Sequence, residues 1–289
     1  MDTRLTSTDG VSLAYHKYPH TDSNGGATTS FLFSHANGFH GRCFDPVAQL
    51  LATHHCFTFD YRGHGDSTVP PDWHVRWSAY GDDAVVAARA SASDGPVIGV
   101  GHSMGAAGLI MAALREPRLF RALVLYEPIV FPASYRHAGT NPMAAAARRR
   151  RSTFDSYADA YANYASKPPL NAFHPECLRA YVNYGFRPTT DGRIELKCSP
   201  ELEARTFESG NIHETWDQLG ELSVPTWLVS GRIDDIPPAS LIPSIASTIA
   251  ENSIVTPTVI EWTDLGHFGP LEDPSRFASL LIDVSEAVR

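Results

Sequence analysis

The chain has 289 residues, 43% hydrophobic and 19% charged, which is enough apolar material for a large buried core and rules out a disordered chain. A formal net charge of −9 argues against a general nucleic-acid binder, whose phosphate contacts call for a basic surface. Cys43, Cys56, Cys177 and Cys198 lie far apart, with no CxxC pair and no interleaved histidines, so neither a zinc site nor a disulfide framework is expected and the thiols read as reduced and structural.

Residues 4–15 alternate as strands do around an Asp9-Gly10 turn, without the basic start and apolar run of a signal peptide. No apolar stretch approaches the ~18–20 residues that span a bilayer, and Ala-Val-Arg289 is not a peroxisomal tripeptide. A cytoplasmic protein without a membrane span is expected. Short β-branched or aromatic runs follow at 30–34, 56–59, 96–100, 122–126, 226–230 and 258–262, each bounded by turn residues, and read as buried central strands. Helical patterns cover 44–53, 77–92, 104–115, 239–250 and 274–288. Strand and helix in alternation predict an α/β fold, a doubly wound and mostly parallel sheet with helices on both faces.

The alternation breaks at 132–222, which reads as a helical cap inserted into a core made of 1–131 and 223–289. Phe154, Tyr157, Tyr161 and Tyr164 are spaced 3, 4 and 3 apart, on one helical face that packs the cap more readily than it lines an acyl pocket. A second cap helix is expected at 176–184, and Ser199-Pro200-Glu201 opens a third with an N-cap and a proline at the first helical position. The charge run Arg148-Arg-Arg-Arg151 turns around its helix and is expected to meet water.

Gly99-Val-Gly101-His-Ser103-Met-Gly105 sits between the strand ending at Val100 and the helix beginning at Met104. This is G-x-S-x-G in the setting that gives it meaning, a strand, a sharp turn and a helix, with small residues where side chains would collide. A dinucleotide loop, G-x-G-x-x-G, would need glycine where Met104 stands. Ser103 is therefore the candidate nucleophile. A serine hydroxyl needs a base to take its proton and a carboxylate to orient that base. In this topology the expected chain order is serine, acid, histidine. Of the 13 histidines, His267 alone follows the last strand in the right place. The acid is expected just after the preceding strand, in Ser230-Gly231-Arg-Ile-Asp234-Asp235, where Asp234 is preferred, Asp235 is the alternative and Glu127, ending the strand at 122–126, is a third candidate. Asp264 is too close in sequence to His267. For the oxyanion, the main-chain N–H of Met104 and that of Asn37, in the small-residue loop 34–40, are the expected donors, with Gly38 in place of Asn37 as the other choice. Phe39 and Phe268 adjoin the oxyanion loop and the base and are candidates for substrate contact.

With these motifs the sequence resembles the α/β-hydrolase superfamily, its serine-nucleophile, esterase- or lipase-like branch. Asp60-Tyr-Arg62-Gly-His64-Gly-Asp66-Ser67 is similar to that family's D-x-R-G-x-G-x-S segment, where it is architectural, so Arg62 and His64 are assigned no chemistry. The third-strand His-Gly pair of the family stands here as His35-Ala36. The resemblance implies the α/β-hydrolase fold and hydrolysis without a metal or organic cofactor; with the aromatic candidates beside the site, the expectation is a serine carboxylic-ester hydrolase that cleaves a small or medium, partly apolar ester or thioester through an acyl-enzyme. Serine at 103 rather than aspartate sets aside epoxide hydrolysis and haloalkane dehalogenation. Lactone, thioester or carbon–carbon bond hydrolysis, and a ligand receptor on the same fold, are the alternatives. The sequence leaves the oligomeric state open.

Overall fold

A hairpin of β1 (Asp2–Thr6) and β2 (Ser12–Lys17) leads into β3 (Ser30–Ser34), α1 (Asp45–Leu50), β4 (His55–Phe59), α2 (Trp77–Ser91), β5 (Val97–His102), α3 (Met104–Arg115) and β6 (Phe120–Tyr126). The chain then leaves the sheet through α4 (Pro142–Arg149), β7 (Thr153–Phe154), α5 (Tyr157–Ala165), α6 (Pro175–Gly185), β8 (Phe186–Pro188), β9 (Ile194–Leu196) and α7 (Pro200–Ser209). It returns with β10 (Thr226–Ser230), α8 (Ile242–Asn252), β11 (Thr258–Glu261), α9 (Gly269–Glu272) and α10 (Pro274–Ala287). The computed structural model describes residues 2–21, 29–135, 141–233, 237–252 and 254–289.

The main sheet has the order β1-β2-β4-β3-β5-β6-β10-β11. The strands from β4 to β11 run parallel, and the β1–β2 hairpin adds antiparallel to β4. Strand order reverses between β3 and β5, and a crevice opens at the carboxyl ends of the strands at such a point. Register makes those ends level: Ser34 lies opposite Gly101, His102 opposite Tyr126, and Tyr126 opposite Val229.

Alternation along each strand divides the core between the two faces of the sheet. Leu32, Leu123 and Leu125 pack on the side of α2, α3 and α8. Phe31, Phe33, Val100 and Val124 pack on the side that carries Val47 of α1 and Leu281 of α10. Arg62 is fully buried and its charge is met by Asp83 at 2.7 Å and Asp9 at 2.9 Å, tying the loop after β4 to α2 and the β1–β2 turn. That is the architectural role the segment was expected to have.

Three local expectations are corrected. The run 258–262 is not a central strand: β11 is the sheet edge, paired with β10, with Val259 exposed and Ile260 packed on the core, and so short an apolar run reads the same at an edge as at the centre. Phe154 is not on the helix of Tyr157, Tyr161 and Tyr164. Ser156 accepts the Asp159 N–H as an N-cap and starts α5 at Tyr157, leaving Phe154 in β7. The inserted segment also holds a small antiparallel sheet, β7-β9-β8, whose strands of two or three residues are too short to show a period in sequence.

Candidate active site

The turn between β5 and α3 puts Ser103 at φ 58° and ψ −116°, a backbone that a residue with a side chain adopts only under constraint. Two glycines make the constraint feasible. A Cβ on Gly101 would lie 2.5 Å from Ala106 Cα, and one on Gly105 would lie 2.2 Å from the Ser34 carbonyl oxygen. The tight bend thus brings α3 against both its own strand and the end of β3. Among the described non-glycine residues only Asp9, Ser103 and Glu127 have positive φ. Asp9 belongs to the β1–β2 turn; the other two stand side by side at the carboxyl edge of the sheet, where strain points to function.

Ser103 Oγ donates to His267 Nε2 at 3.1 Å, and His267 Nδ1–H donates to Glu127 Oε2 at 2.5 Å. The other Glu127 oxygen, Oε1, accepts the Gly231 N–H at 2.9 Å, and the Glu127 amide donates to the Val229 carbonyl, so Glu127 is tied to the end of β10 through both its carboxylate and its main chain. Its side chain is 3% exposed whereas that of His267 is 31% exposed: the carboxylate is sealed in and the imidazole faces the crevice. An uncharged imidazole with its proton on Nδ1 satisfies both bonds at once. A hydroxyl, an imidazole and a buried carboxylate in this order are equipped to pass a proton from the hydroxyl and to support the imidazolium that results.

Ser103 and His267 are thus brought together. Asp234 and Asp235 lie outside the described residues, and the carboxylate that meets His267 is Glu127, the weakest of the three sequence candidates. The signal for it was a charged residue directly after the apolar strand at 122–126 and before Pro128, which sequence order could not rank above Asp234. Asp264 points elsewhere, to Arg276 at 2.8 Å, and that cation lowers its pKa.

The loop after β3 is built from its own polar groups. His35 Nδ1–H donates to the Ala36 carbonyl at 2.8 Å while Nε2 accepts the Tyr61 N–H at 3.0 Å, and the Phe39 amide closes a turn onto Ala36. Asn37 is buried; its Nδ2 donates to the Glu203 carbonyl of α7 at 3.0 Å, and its Oδ1 lies 3.2 Å from His64 Nε2. Gly38, the alternative donor, sits at φ 78° against the Glu203 carboxylate, where a Cβ would lie 2.7 Å from Oε1. Met104 opens α3, where first-turn amides have no intrahelical acceptor.

Phe39, Phe173 and Phe268 touch one another, with centroids 5.3 to 6.0 Å apart, and Phe268 stands edge-on to His267 at 5.1 Å. Phe173, contributed by the inserted segment, carried no sequence signal. The aromatic stripe of α5 instead packs within the insertion, Tyr164 against Phe154, Tyr181 and Phe186. The arginine run is only partly solvated. Arg148 bridges Glu201 and Glu208 at the surface, but Arg150 turns inward to Glu203 at 2.6 Å and the Tyr164 and Tyr181 hydroxyls, because α4 ends at Arg149 and the chain direction changes.

All four cysteines are buried and free. Among the described residues no cluster of three or more His, Cys, Asp or Glu side chains is placed to hold a metal ion, and no helix is long and apolar enough to cross a membrane.

Burial holds several imidazoles uncharged. Loss of water lowers the pKa of His35 and His102 well below the usual histidine value, that of His40 to about 3 and that of His64 to about 4. The unfolded chain protonates these groups near the ordinary value of about 6.5. Their stabilisation is therefore complete above that pH and is lost as the pH falls below it, at about 1.4 kcal/mol per pH unit for each imidazole. Burial acts in the opposite sense on Asp45, Asp60 and Asp83, whose pKa values it raises. His40→Gln is expected to flatten the fall in urea-unfolding free energy between pH 6 and 4.5 by one such slope; an unchanged slope would mean that His40 titrates normally in the fold.

The model of the Alpha/beta hydrolase family matches residues 31–280. The chain belongs to the α/β-hydrolase family. A monoglyceride lipase homolog of Monkeypox virus is 33% identical over 104 residues, which cover 34% of this chain and 38% of that protein's length. Among solved structures, the thioesterase domain from the curacin biosynthetic pathway superposes with a TM-score of 0.77 at 18% identity, covering 98% of this chain and 99% of that one. An esterase from Rhodococcus sp. ECU1013 does so at 0.72 and 17% identity, covering 100% and 99%. At these identities the two structures establish the common fold of this α/β hydrolase.

Proposed function

We propose that this α/β hydrolase is a serine hydrolase that cleaves a carboxylic ester, or a related acyl substrate, through an acyl-enzyme. The observation that carries the reading is the unbroken path from Ser103 Oγ through His267 to Glu127, at 3.1 and 2.5 Å. Ser103 Oγ attacks the carbonyl carbon as its proton passes to His267 Nε2. Glu127 supports the imidazolium, and the Met104 and Asn37 amides receive the developing oxyanion. The tetrahedral intermediate collapses as Nε2–H protonates the leaving oxygen. Water, deprotonated by His267, then attacks the acyl carbon, and the departing Ser103 Oγ recovers the proton.

Phe39, Phe173 and Phe268 beside the imidazole favour a substrate with an apolar portion. In this reading residues 132–222 act as the cap that shapes the pocket, since Phe173 and Glu203 of that segment meet the site. Steady-state release of p-nitrophenol from short-chain esters is the test, run beside lactone and thioester panels. Continuous turnover of an ester supports the assignment, whereas a single burst without turnover favours a ligand receptor and exclusive turnover of a lactone or thioester relocates the substrate class.

A further inference from the structure

Ser103 and Glu127 are each preceded by a residue whose side chain the proposed reaction does not use. These two, His102 and Tyr126, are direct partners in the parallel register of β5 and β6, so their side chains stand next to each other at the end of the sheet. Both are buried and both reach the loop that carries His267. His102 Nε2–H donates to the His267 carbonyl at 2.8 Å, and the Tyr126 hydroxyl donates to the Gly266 carbonyl at 2.6 Å. Two consecutive carbonyls of one loop are thus held by the strands that present the two groups its imidazole must meet. The rings form one packed unit: His102 stands edge-on to Tyr126 at 5.8 Å and to Phe268 at 5.7 Å, and lies 5.0 Å from the His267 ring.

We infer that His102 and Tyr126 are positioning residues, a main-chain clamp that holds His267 in line between Ser103 and Glu127 throughout turnover; this rests on His267 being the base. The ring's own two bonds do not suffice for that task, because the Ser103 bond is given up when the hydroxyl attacks. Among the described residues, the main-chain ties from the end of β10 to the loop between β11 and α9 stop at Leu265, whose carbonyl accepts the Arg232 N–H at 3.0 Å. A clamp on the backbone keeps the imidazole in place while its protonation changes. It also has to be uncharged, since a cation 5.0 Å from His267 would oppose the imidazolium formed in each step. Burial keeps His102 in the neutral form, which is all that a bond to a carbonyl requires.

The test uses Tyr126→Phe, His102→Phe and His102→Gln. Tyr126→Phe and His102→Phe are each expected to lower kcat toward a p-nitrophenyl ester about tenfold with KM changed less than about twofold. His102→Gln, which returns an N–H at similar reach, is expected to recover to within about threefold of the unsubstituted protein. The double Phe variant is expected to fall less than the product of the single effects, since both bonds hold one loop. In the proton spectrum of protein with 15N-labelled histidine, the far-downfield resonance of His267 Nδ1–H is expected to broaden or move upfield in both Phe variants. If His102→Phe fails to fold, Tyr126→Phe carries the test alone, since it removes one oxygen atom. Variants that melt at lower temperature yet keep kcat and the downfield resonance would make these residues merely structural and overturn the inference. The resonance does not depend on Ser103: an unsubstituted protein that neither turns over nor takes up a fluorophosphonate refutes the nucleophile, while loss of the resonance in Tyr126→Phe still supports the clamp.

Discussion

Glu127→Gln is expected to lower kcat by about 10³–10⁴-fold while leaving the fold and KM nearly intact. Glutamine preserves the shape and can still accept the Gly231 N–H through its oxygen. The amide that replaces Oε2 then confronts His267 Nδ1 as a donor, and two donors cannot share one bond. The imidazole is driven to the tautomer with its proton on Nε2, which has no lone pair left to accept the Ser103 proton. Asp234→Asn and Asp235→Asn are expected to stay within about threefold of the unsubstituted rate, as substitutions of carboxylates without a part in proton transfer do. Near-normal turnover of Glu127→Gln together with collapse of Asp234→Asn would return the acid to the loop after β10.

Ser103→Ala is expected to have the largest effect, a loss of about 10⁵–10⁶ in kcat. The amides proposed to bind the oxyanion and the aromatic wall are untouched by this change, so binding of a non-hydrolysable ester analogue is expected to persist. Residual rate of about 10³–10⁴ over water is consistent with those groups acting alone. Retention of more than about one hundredth of the original rate contradicts the acyl-enzyme route, because no second hydroxyl in the described site is hydrogen-bonded to His267.

The sheet was legible because buried parallel strands are continuous apolar runs, and β3, β5 and β6 are such runs between turn residues. Ser103 was legible for a related reason: the bend needs glycines at 101 and 105 to avoid Ala106 and the Ser34 carbonyl, so its steric demand is written in the residues themselves. His267 followed from chain order. Chain order could not choose the acid, because β6 and β10 are neighbours in the sheet and their carboxyl ends are level, so either can offer a carboxylate to the same imidazole. The positive φ of Glu127 that aims it there is a property of the folded chain and leaves no mark in its composition. Phe173 and Arg150 were missed for a different reason. Their neighbours, Phe39 and Phe268 for one and Glu203 for the other, are more than fifty residues away in the chain, and no local period announces such contacts.

The central claim is that one hydroxyl, Ser103 Oγ, becomes covalently acylated. Intact-mass and peptide mapping after reaction with a fluorophosphonate test it most directly, with Ser103→Ala as the control. A single adduct on the peptide containing Gly101 to Gly105, absent in Ser103→Ala, is the expected result. An adduct on any other residue, or active protein that turns over esters yet remains unlabelled, would contradict it.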